Sequence, residues 1–245
     1  MAVLETRGIS VRFGGLTAND DVSIDIEGGA ITGLIGPNGA GKTTLFNVMT
    51  GLQKPTNGGV FFDGQDITGI SPSRRAQRGL GRTFQRLELF LSLSVRDNIR
   101  AAGDVYNANH RGNRVKVNAV TDQVLGLTGL EDIADQDVAD IPTGRARVVE
   151  VARALVGQPR VLLLDEPASG QTEHETEVFT DLLKRLVAEG LTICLVEHDL
   201  PLVMAVCSRI HVLDFGVLLA SGTPAEIQAN QQVIDAYIGT AEATK

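Results

Sequence analysis

A glycine-rich segment early in the chain combines the residue types that bind nucleotide phosphates. It fits the spacing GxxxxGK[ST] and consists of Gly36, Pro37, Asn38, Gly39, Ala40, Gly41, Lys42, Thr43 and Thr44. Glycines allow successive backbone N–H groups to turn toward phosphate oxygens, Lys42 can reach the β- and γ-phosphates, and the Thr43 hydroxyl can ligate Mg²⁺. The segment predicts a site for a nucleoside triphosphate with Mg²⁺. The alternative is a glycine turn that only starts a helix.

Two adjacent carboxylates, Asp165 and Glu166, follow an apolar run at residues 161–164. Such a run predicts a buried strand, and successive side chains of a strand face opposite ways, so the two carboxylates can take different roles. Asp165 suits the neighbourhood of a Mg²⁺ ion, and Glu166 suits the orientation of a water that attacks the γ-phosphate. A solvated strand end is the alternative, against which the phosphate-binding segment argues.

The elements that must position these residues alternate between strand and helix patterns. Residues 31–35 are apolar and run into the glycine-rich segment, which an amphipathic helical pattern follows. Residues 3–26 alternate apolar and polar side chains, which predicts antiparallel strands. From residue 161 onward the alternation indicates parallel strands with helical crossovers. The strands predicted there cover residues 161–164, 191–196 and 209–213, with a helix over residues 173–189.

Between residues 71 and 157 amphipathic helical patterns replace the strand patterns. This segment predicts a helical insert in the α/β framework. Its polar stretch at residues 107–118 is expected to form a mobile loop or linker. The sequence contains no internal repeat and no low-complexity tract.

Composition and charge restrict the class of protein. With 245 residues, 43% hydrophobic and 21% charged, the chain has enough apolar residues for a sizeable core and is not disordered. Its net charge of −8 argues against sequence-independent DNA binding. Two cysteines predict neither a disulfide framework nor a metal site and favour a reducing compartment. Because no apolar run reaches about 18 residues and no signal peptide begins the sequence, any membrane role is expected through a partner.

These motifs resemble those of the ATP-binding cassette (ABC) ATPases, and the resemblance covers essentially the whole chain. Gln85 is similar to the glutamine that contacts Mg²⁺ between the catalytic core and the helical subdomain of that family. His198 is similar to the histidine that contacts the γ-phosphate and holds the attacking water. Taken alone, Gln85 also fits a loop amide and His198 a structural histidine.

The resemblance implies an α/β fold with a P-loop NTPase core, in which helices flank a mostly parallel sheet, plus an antiparallel β subdomain and a helical subdomain. Residues 1–245 are then a single ABC ATPase domain. Residues 1–84 and 158–245 form its catalytic core with the antiparallel subdomain and the C-terminal helices. Residues 85–157 form its helical signature subdomain.

The family's signature sequence, LSGGQ, has a divergent counterpart at Pro142, Thr143, Gly144 and Arg145. Gly144 and the helix N-terminus behind it can still offer N–H groups to a phosphate. Pro142 replaces serine, and Thr143 can restore a hydroxyl. Arg145 replaces glutamine, which bears on how tightly the segment clasps nucleotide. The alternative is an amphipathic helix that Thr143 caps.

Three further positions are compared with the family in the same way. In the loop that crosses between paired subunits, Gln171 replaces leucine and Thr172 replaces asparagine or aspartate, which predicts altered communication between paired sites. Phe13 resembles the aromatic residue that stacks on adenine. Because Ile9, Val11 and Phe13 also form an apolar stripe, core packing of Phe13 is the alternative.

The resemblance implies ATP and Mg²⁺ as cofactors, with Thr43, Gln85 and Asp165 near the metal ion and Glu166 and His198 as catalytic residues. In this family the signature of one subunit covers the nucleotide of another, so a second ATPase subunit, the same chain or a paralogue, is an expected partner. Membrane permease subunits and, indirectly, an external solute-binding protein are the others, without nucleic acid. The expected location is cytoplasmic and peripheral, on the cytoplasmic face of the cell membrane.

Short segments narrow the resemblance to ATPase subunits of branched-chain amino acid importers. They are RFGGL at 12–16, RTFQ at 82–85, VEHDL at 196–200, ASGTP at 220–224 and VIDAYIG at 233–239. A groove for a permease helix is expected beside Gln85. Its apolar wall would consist of Leu87, Leu89, Phe90, Leu91 and Leu93, for which core packing is the alternative.

Other functions compete with this interpretation. A soluble cassette ATPase that works on nucleic acid or ribosomes is disfavoured by the single phosphate loop and the lack of a heptad tract. A GTPase switch is disfavoured because the sequence has no NKxD-like motif. A nucleotide-gated protein with little turnover is suggested by Arg145, Gln171 and Thr172. Within transporters, urea import and lipopolysaccharide export are the alternatives.

Overall fold

The computed structural model describes residues 1–109 and 114–242, which form two β-sheets with helices packed around them. The strands are β1 (Ala2–Phe13), β2 (Leu16–Glu27), β3 (Ile31–Ile35), β4 (Asn57–Phe62), β5 (Gln65–Asp66), β6 (Leu80–Arg82), β7 (Val161–Asp165), β8 (Thr192–Val196), β9 (Arg209–Asp214) and β10 (Val217–Gly222). The helices are α1 (Lys42–Thr50), α2 (Pro72–Gln77), α3 (Val95–Asn109), α4 (Val117–Thr128), α5 (Thr143–Leu155), α6 (Glu173–Ala188), α7 (Leu200–Val206), α8 (Pro224–Gln228) and α9 (Gln231–Glu242). The α/β class predicted from the sequence is confirmed.

The central sheet has six strands in the order β10-β9-β3-β8-β7-β6. Strand β10 pairs antiparallel with β9, and the other neighbours pair parallel. Strands β3, β7 and β8 are buried along their whole length, because helices or the second sheet cover both faces. In β7, Leu162 and Leu164 face one hydrophobic core, whereas Val161 and Leu163 face the other. Because β3, β8 and β7 pair in parallel, their carboxyl ends lie at the same end of the sheet.

The second sheet is antiparallel, with the order β2-β1-β4-β5. The alternating pattern of residues 3–26 correctly predicted its two long strands, which bury alternate apolar side chains. Helix α1 lies between the two sheets and buries Leu45, Phe46 and Met49 completely. The helix that begins at the glycine-rich segment is therefore held by apolar contacts from both sides.

Helices α3, α4 and α5 form the predicted helical insert and share one core with the adjacent face of the central sheet. Within the described residues, no helix is long and apolar enough to cross a membrane.

Two expectations for the insert need correction. Residues 71–157 are not free of strand structure, since β6 pairs parallel with β7 at the edge of the central sheet. Its three residues include a glycine and follow Gly79, so the sequence gives no strand periodicity to detect. The loop expected over residues 107–118 is also too long at both ends, because residues 107–109 belong to α3 and residues 117–118 belong to α4. Residues 110–113 of that prediction lie outside the described residues.

Candidate functional site

The glycine-rich segment forms a tight loop between β3 and α1, and two of its glycines have no space for a side chain. A Cβ atom at Gly36 would lie 2.1 Å from the carbonyl oxygen of Leu213 on β9, and one at Gly41 would lie 2.4 Å from that of Ala18 on β2. Gly41 has a φ of 98° and precedes the first residue of α1. The loop thus packs tightly against strands of both sheets, and only glycine fits at positions 36 and 41.

Lys42 folds back over this loop. Its Nζ donates hydrogen bonds to the carbonyl oxygens of Gly36 at 2.6 Å and Pro37 at 3.0 Å. Burial lowers the pKa of Lys42, and the nearby carboxylates of Glu166 and Asp165 oppose that shift. The ammonium group therefore lies at the loop with exchangeable backbone partners, which phosphate oxygens can replace.

Asp165, at the end of β7, is held by a residue to which the sequence motifs gave no role. Arg82 donates to Asp165 Oδ2 at 2.9 Å, and the side chains are only 9% and 2% exposed. The same guanidinium donates to Asn47 Oδ1 at 2.6 Å and Thr50 Oγ1 at 3.1 Å on α1. Arg82 therefore ties the end of β7 to the helix that follows the phosphate-binding segment.

The charge state of Asp165 follows from this environment. Burial raises the pKa of Asp165, and Arg82 and Lys42 partly offset that rise by stabilising the carboxylate. A cation bound beside Asp165 would favour the ionised form further. The only sequence signal for Arg82 was its place three residues before Gln85.

Glu166 and Gln85 are brought together in the folded chain. Gln85 Nε2 donates to Glu166 Oε2 at 2.9 Å across 81 residues of sequence. Glu166 adopts a φ of 48°, and its N–H donates to the carbonyl of Val196 on β8 at 2.9 Å. A non-glycine residue in this backbone region is strained, and such strain is frequent at functional sites. The backbone therefore leaves the extended conformation of β7 at Glu166.

His198 lies apart from this pair. Its side chain is 63% exposed at the end of β8, and it does not line the cleft described below. The preceding residue, Glu197, is buried and accepts hydrogen bonds from the N–H groups of Ala168, at 2.8 Å, and His198, at 3.0 Å. Burial raises the pKa of Glu197, and those bonds counteract the rise. Glu197 thus joins the segment after Glu166 to the segment that carries His198.

A cleft of about 460 Å³ runs along the glycine-rich segment. It is lined by residues of β1, β2 and the start of α1 and by residues that follow β6, β7 and β9, including Phe13, Lys42, Thr43, Gln85 and Glu166. Phe13 is 48% exposed whereas Ile9 and Val11 are buried, so core packing of Phe13 is wrong. The pairing register of β1 shifts between Val11 and Arg12, which takes Phe13 off the buried face just before the turn at Gly14.

The residues at this cleft fit a Mg²⁺-bound nucleoside triphosphate. Thr43, Gln85 and Asp165 all carry oxygen donors, which Mg²⁺ prefers. Thr43 and Gln85 line the cleft, and Asp165 is the neighbour of Glu166, which also lines it. Glycine at positions 36 and 41 allows the loop backbone to curl, and such a loop at a helix start can offer N–H groups to phosphates.

The signature counterpart lies at the start of α5, away from this cleft, since none of its four residues lines the cleft wall. Helix α5 begins at Thr143 and Pro142 is its N-cap, so the expectation that Thr143 caps the helix is wrong. Arg145 forms an ion pair with Asp132. That pairing directs the arginine toward the segment between α4 and α5.

Helix α5 instead meets a carboxylate from α6 at its N-terminus. The Glu175 carboxylate lies against Gly144, since a Cβ at Gly144 would lie 2.3 Å from Glu175 Oε1. Glu175 also accepts from the Thr172 N–H at 2.8 Å, and Thr172 Oγ1 in turn caps the Glu175 N–H. The hydrogen bonds from the backbone and side chain of Thr172 lower the pKa of Glu175. Thr172 thus fills the N-cap position of α6, which asparagine or aspartate would also suit.

The residues after Gln85 divide into two groups. Leu89 packs against the main core, whereas four others are exposed, namely Leu87, Phe90, Leu91 and Leu93. The core-packing alternative therefore holds for Leu89 only. A pocket of about 220 Å³ adjoins them, and Phe84, Glu88 and Arg153 line it.

Comparisons with known proteins agree with this geometry. The sequence model described as "ABC transporter" matches residues 19–169, and the model described as "Branched-chain amino acid ATP-binding cassette transporter" matches residues 217–243. The chain is 37% identical to the high-affinity branched-chain amino acid transport ATP-binding protein BraF of Pseudomonas aeruginosa, with 98% of both chains covered. It is 33% identical to the lipopolysaccharide export system ATP-binding protein LptB of Escherichia coli K12, again with 98% of both covered.

A solved structure gives the same result for the fold. The ADP conformation of MJ1267, an ATP-binding cassette of an ABC transporter, superposes with a TM-score of 0.87 at 29% identity and covers 98% of this chain and 99% of that one.

Proposed function

The chain belongs to the ABC transporter ATPase family, and from that premise we propose that the cleft along the glycine-rich segment binds Mg²⁺–ATP and hydrolyses it to power an importer of branched-chain amino acids. Members of this family are ATPases that couple hydrolysis to transport. One observation carries the assignment of the site. Lys42 and Thr43, Gln85, and Glu166 come from three separate segments of the chain, yet all four residues line one cleft.

Each residue has a role that its position supports. Lys42 exchanges its two backbone carbonyl partners for β- and γ-phosphate oxygens. Thr43, Gln85 and Asp165 hold the Mg²⁺ ion, which neutralises charge on the phosphates when bound. Phe13 offers its ring face to the adenine base.

Glu166 is the residue proposed to orient and activate water. One of its carboxylate oxygens now accepts from Gln85, so the water takes either the second oxygen or the one that Gln85 releases. His198 is proposed to contact the γ-phosphate. Because His198 is exposed outside the cleft wall, this contact requires the bound phosphate and the end of β8 to approach each other.

A second ATPase subunit is proposed to complete the site. The residues Pro142, Thr143, Gly144 and Arg145 lie away from the cleft of their own chain, which supports their action on the nucleotide of a partner subunit, whether the same chain or a paralogue. Nucleotide then lies between the phosphate-binding segment of one subunit and the signature of the other.

Permease subunits are the proposed membrane partners, with an external solute-binding protein acting through them and no nucleic acid involved. The exposed apolar residues Leu87, Phe90, Leu91 and Leu93 support a docking surface for a permease helix beside Gln85. The protein would then be cytoplasmic and peripheral, on the cytoplasmic face of the cell membrane.

The substrate class is supported by the branched-chain amino acid model at residues 217–243 and by the similarity to BraF. Similarity to LptB makes lipopolysaccharide export the second candidate. Uptake of labelled leucine, isoleucine and valine by cells lacking this chain separates the two. We expect uptake to fall and to return with the wild-type chain but not with Lys42→Ala, whereas normal uptake with impaired lipopolysaccharide export would support the exporter instead.

The first test of the site is the light-scattering mass of Glu166→Gln with and without Mg²⁺–ATP. A shift from 26.0 kDa to twice that mass is expected, because ATP is bound and not hydrolysed and completes two composite sites. Lys42→Ala is the matched control and should stay monomeric. Binding of ATP without a mass shift would contradict self-pairing and direct the search to a paralogous subunit, and an absence of ATP binding would contradict the proposed site.

A further inference from the structure

The turn between β9 and β10 carries an aromatic residue where its geometry favours other residue types. Phe215 and Gly216 connect the two strands with φ angles of 42° and 81°. Positive φ at both central residues defines a type I′ turn, for which Asn-Gly and Asp-Gly are strongly preferred. Phe215 is also 88% exposed. A strained backbone and an exposed ring both cost stability, so the turn gains nothing from phenylalanine in the isolated chain.

This turn is fixed beside the phosphate-binding segment. The Gly216 N–H donates to the carbonyl of Ala40 at 3.1 Å, and the Asp20 N–H donates to the carbonyl of Gly216 at 2.8 Å. A Cβ at Gly216 would lie 2.8 Å from the carbonyl oxygen of Ala18, so the turn packs directly on β2. Phe215 is therefore anchored by its neighbour to both the glycine-rich loop and the antiparallel sheet.

Phe215 lines the same cleft as Phe13 and Leu16. Phe13 and Leu16 flank the short turn between β1 and β2, so two hairpin turns meet at this cleft. All three apolar side chains are exposed, whereas Lys42 and Thr43 line the cleft at the start of α1. The cleft thus has an apolar part formed by two turns and a cationic part at the helix start.

We infer that Phe215 is a second base-contacting residue, which holds the adenine base of ATP together with Phe13. This inference rests on the proposed function, because it takes ATP as the occupant of the cleft. An aromatic base has two faces and an edge, and aromatic rings bind such groups by offset stacking or edge contact without a base-specific hydrogen bond. The contact adds affinity for the base and leaves the phosphate contacts unchanged.

Calorimetric titration of Phe215→Asn with ATP and with inorganic tripolyphosphate tests this inference. Loss of an aromatic contact is expected to raise the Kd for ATP about 3- to 10-fold and to change the Kd for tripolyphosphate less than about 2-fold. Asparagine suits a type I′ turn, so the melting temperature should stay the same or rise. Affinity and stability then move in opposite directions, which a damaged fold does not produce.

Two control variants and a double-mutant cycle complete the experiment. Phe215→Tyr retains the ring and should keep the ATP affinity of the wild type. Val178→Asn replaces an exposed apolar residue of α6, which does not line the cleft, and should leave both Kd values unchanged. In a double-mutant cycle, Phe13→Ala and Phe215→Asn should be non-additive for ATP, because two rings on one base share its contacts.

The outcomes separate the inference from its premise. If Phe215→Asn binds ATP as tightly as the wild type does, the inference is wrong and the proposed ATP site stands. If Phe215→Asn weakens ATP and tripolyphosphate equally, the residue acts on the phosphate loop and not on the base. If the wild-type chain binds neither ligand, the proposed function itself fails.

Discussion

Helices α1 and α5 both begin at segments that the family assigns to nucleotide phosphates, yet their N-termini differ in charge. Neither helix has a side chain that caps its first turn. At α1 the ammonium of Lys42 lies on the loop, held only by backbone carbonyls. At α5 the carboxylate of Glu175 lies against Gly144 in the first turn.

This difference bears on which half of the proposed composite site is complete in one chain. The start of α1 carries a cation, oxygen donors and a tightly curled glycine-rich loop, so the proposed phosphate partners are already in place. The start of α5 is occupied by a carboxylate of the same chain, and a phosphate that approaches Gly144 must displace it. The phosphate-binding half is thus prepared by the fold, whereas at the proposed signature half Glu175 lies against Gly144 and would have to move for a partner's nucleotide.

The largest expected effect is on hydrolysis at the α1 side. Glu166→Gln removes the carboxylate proposed to orient water and should lower the rate of phosphate release about 10²–10⁴-fold while ATP binding is retained. Glu177→Gln, an exposed position on α6, is the control and should hydrolyse ATP normally. Undiminished hydrolysis by Glu166→Gln would remove Glu166 from this role.

The next effect concerns the stability of the buried Arg82–Asp165 ion pair, which links β7 to α1. Arg82→Met leaves Asp165 buried without its cationic partner, so the free energy of unfolding should fall by about 3–5 kcal/mol in urea titrations. Because Arg82 favours the ionised carboxylate, its loss should also raise the pKa of Asp165 further. Arg160→Met breaks an exposed ion pair with Asp63 and should cost less than about 1 kcal/mol. Equal costs for the two variants would contradict a special role of Arg82.

The smallest effect tests the α5 side. Gly144→Ala places a Cβ against Glu175, so the carboxylate must move and the free energy of unfolding should fall by about 1 kcal/mol. In a Glu175→Ala background the same change should be neutral or stabilising, since alanine favours a helix over glycine. Gly126→Ala is a matched control on α4, where the nearest glutamate oxygen lies 3.4 Å from the added Cβ. Equal costs of Gly144→Ala in both backgrounds would show that Glu175 is not the obstacle.

Much of the fold was predictable because its signals are local. The long strands β1 and β2 follow from alternation, and the strand–loop–helix unit around Lys42 follows from apolar spacing and glycines. Strand β6 was not predictable, because its three residues join the sheet only through pairing with β7. The core-packing alternative for Phe13 was wrong, because a register shift in β1 that depends on its partner strand takes this residue off the buried face.

The sequence by itself determined the two contiguous motifs at Lys42 and Glu166, since the residues of such a motif are bonded neighbours whose spacing sets their geometry. Only the tertiary structure decided three pairs, whose members come from distant segments. Arg82 and Asp165 are 83 residues apart, Gly144 meets Glu175 across two helices, and Phe215 shares a cleft with Phe13. Their contacts depend on the order of strands in the sheet and on helix packing, which chain-local patterns do not encode.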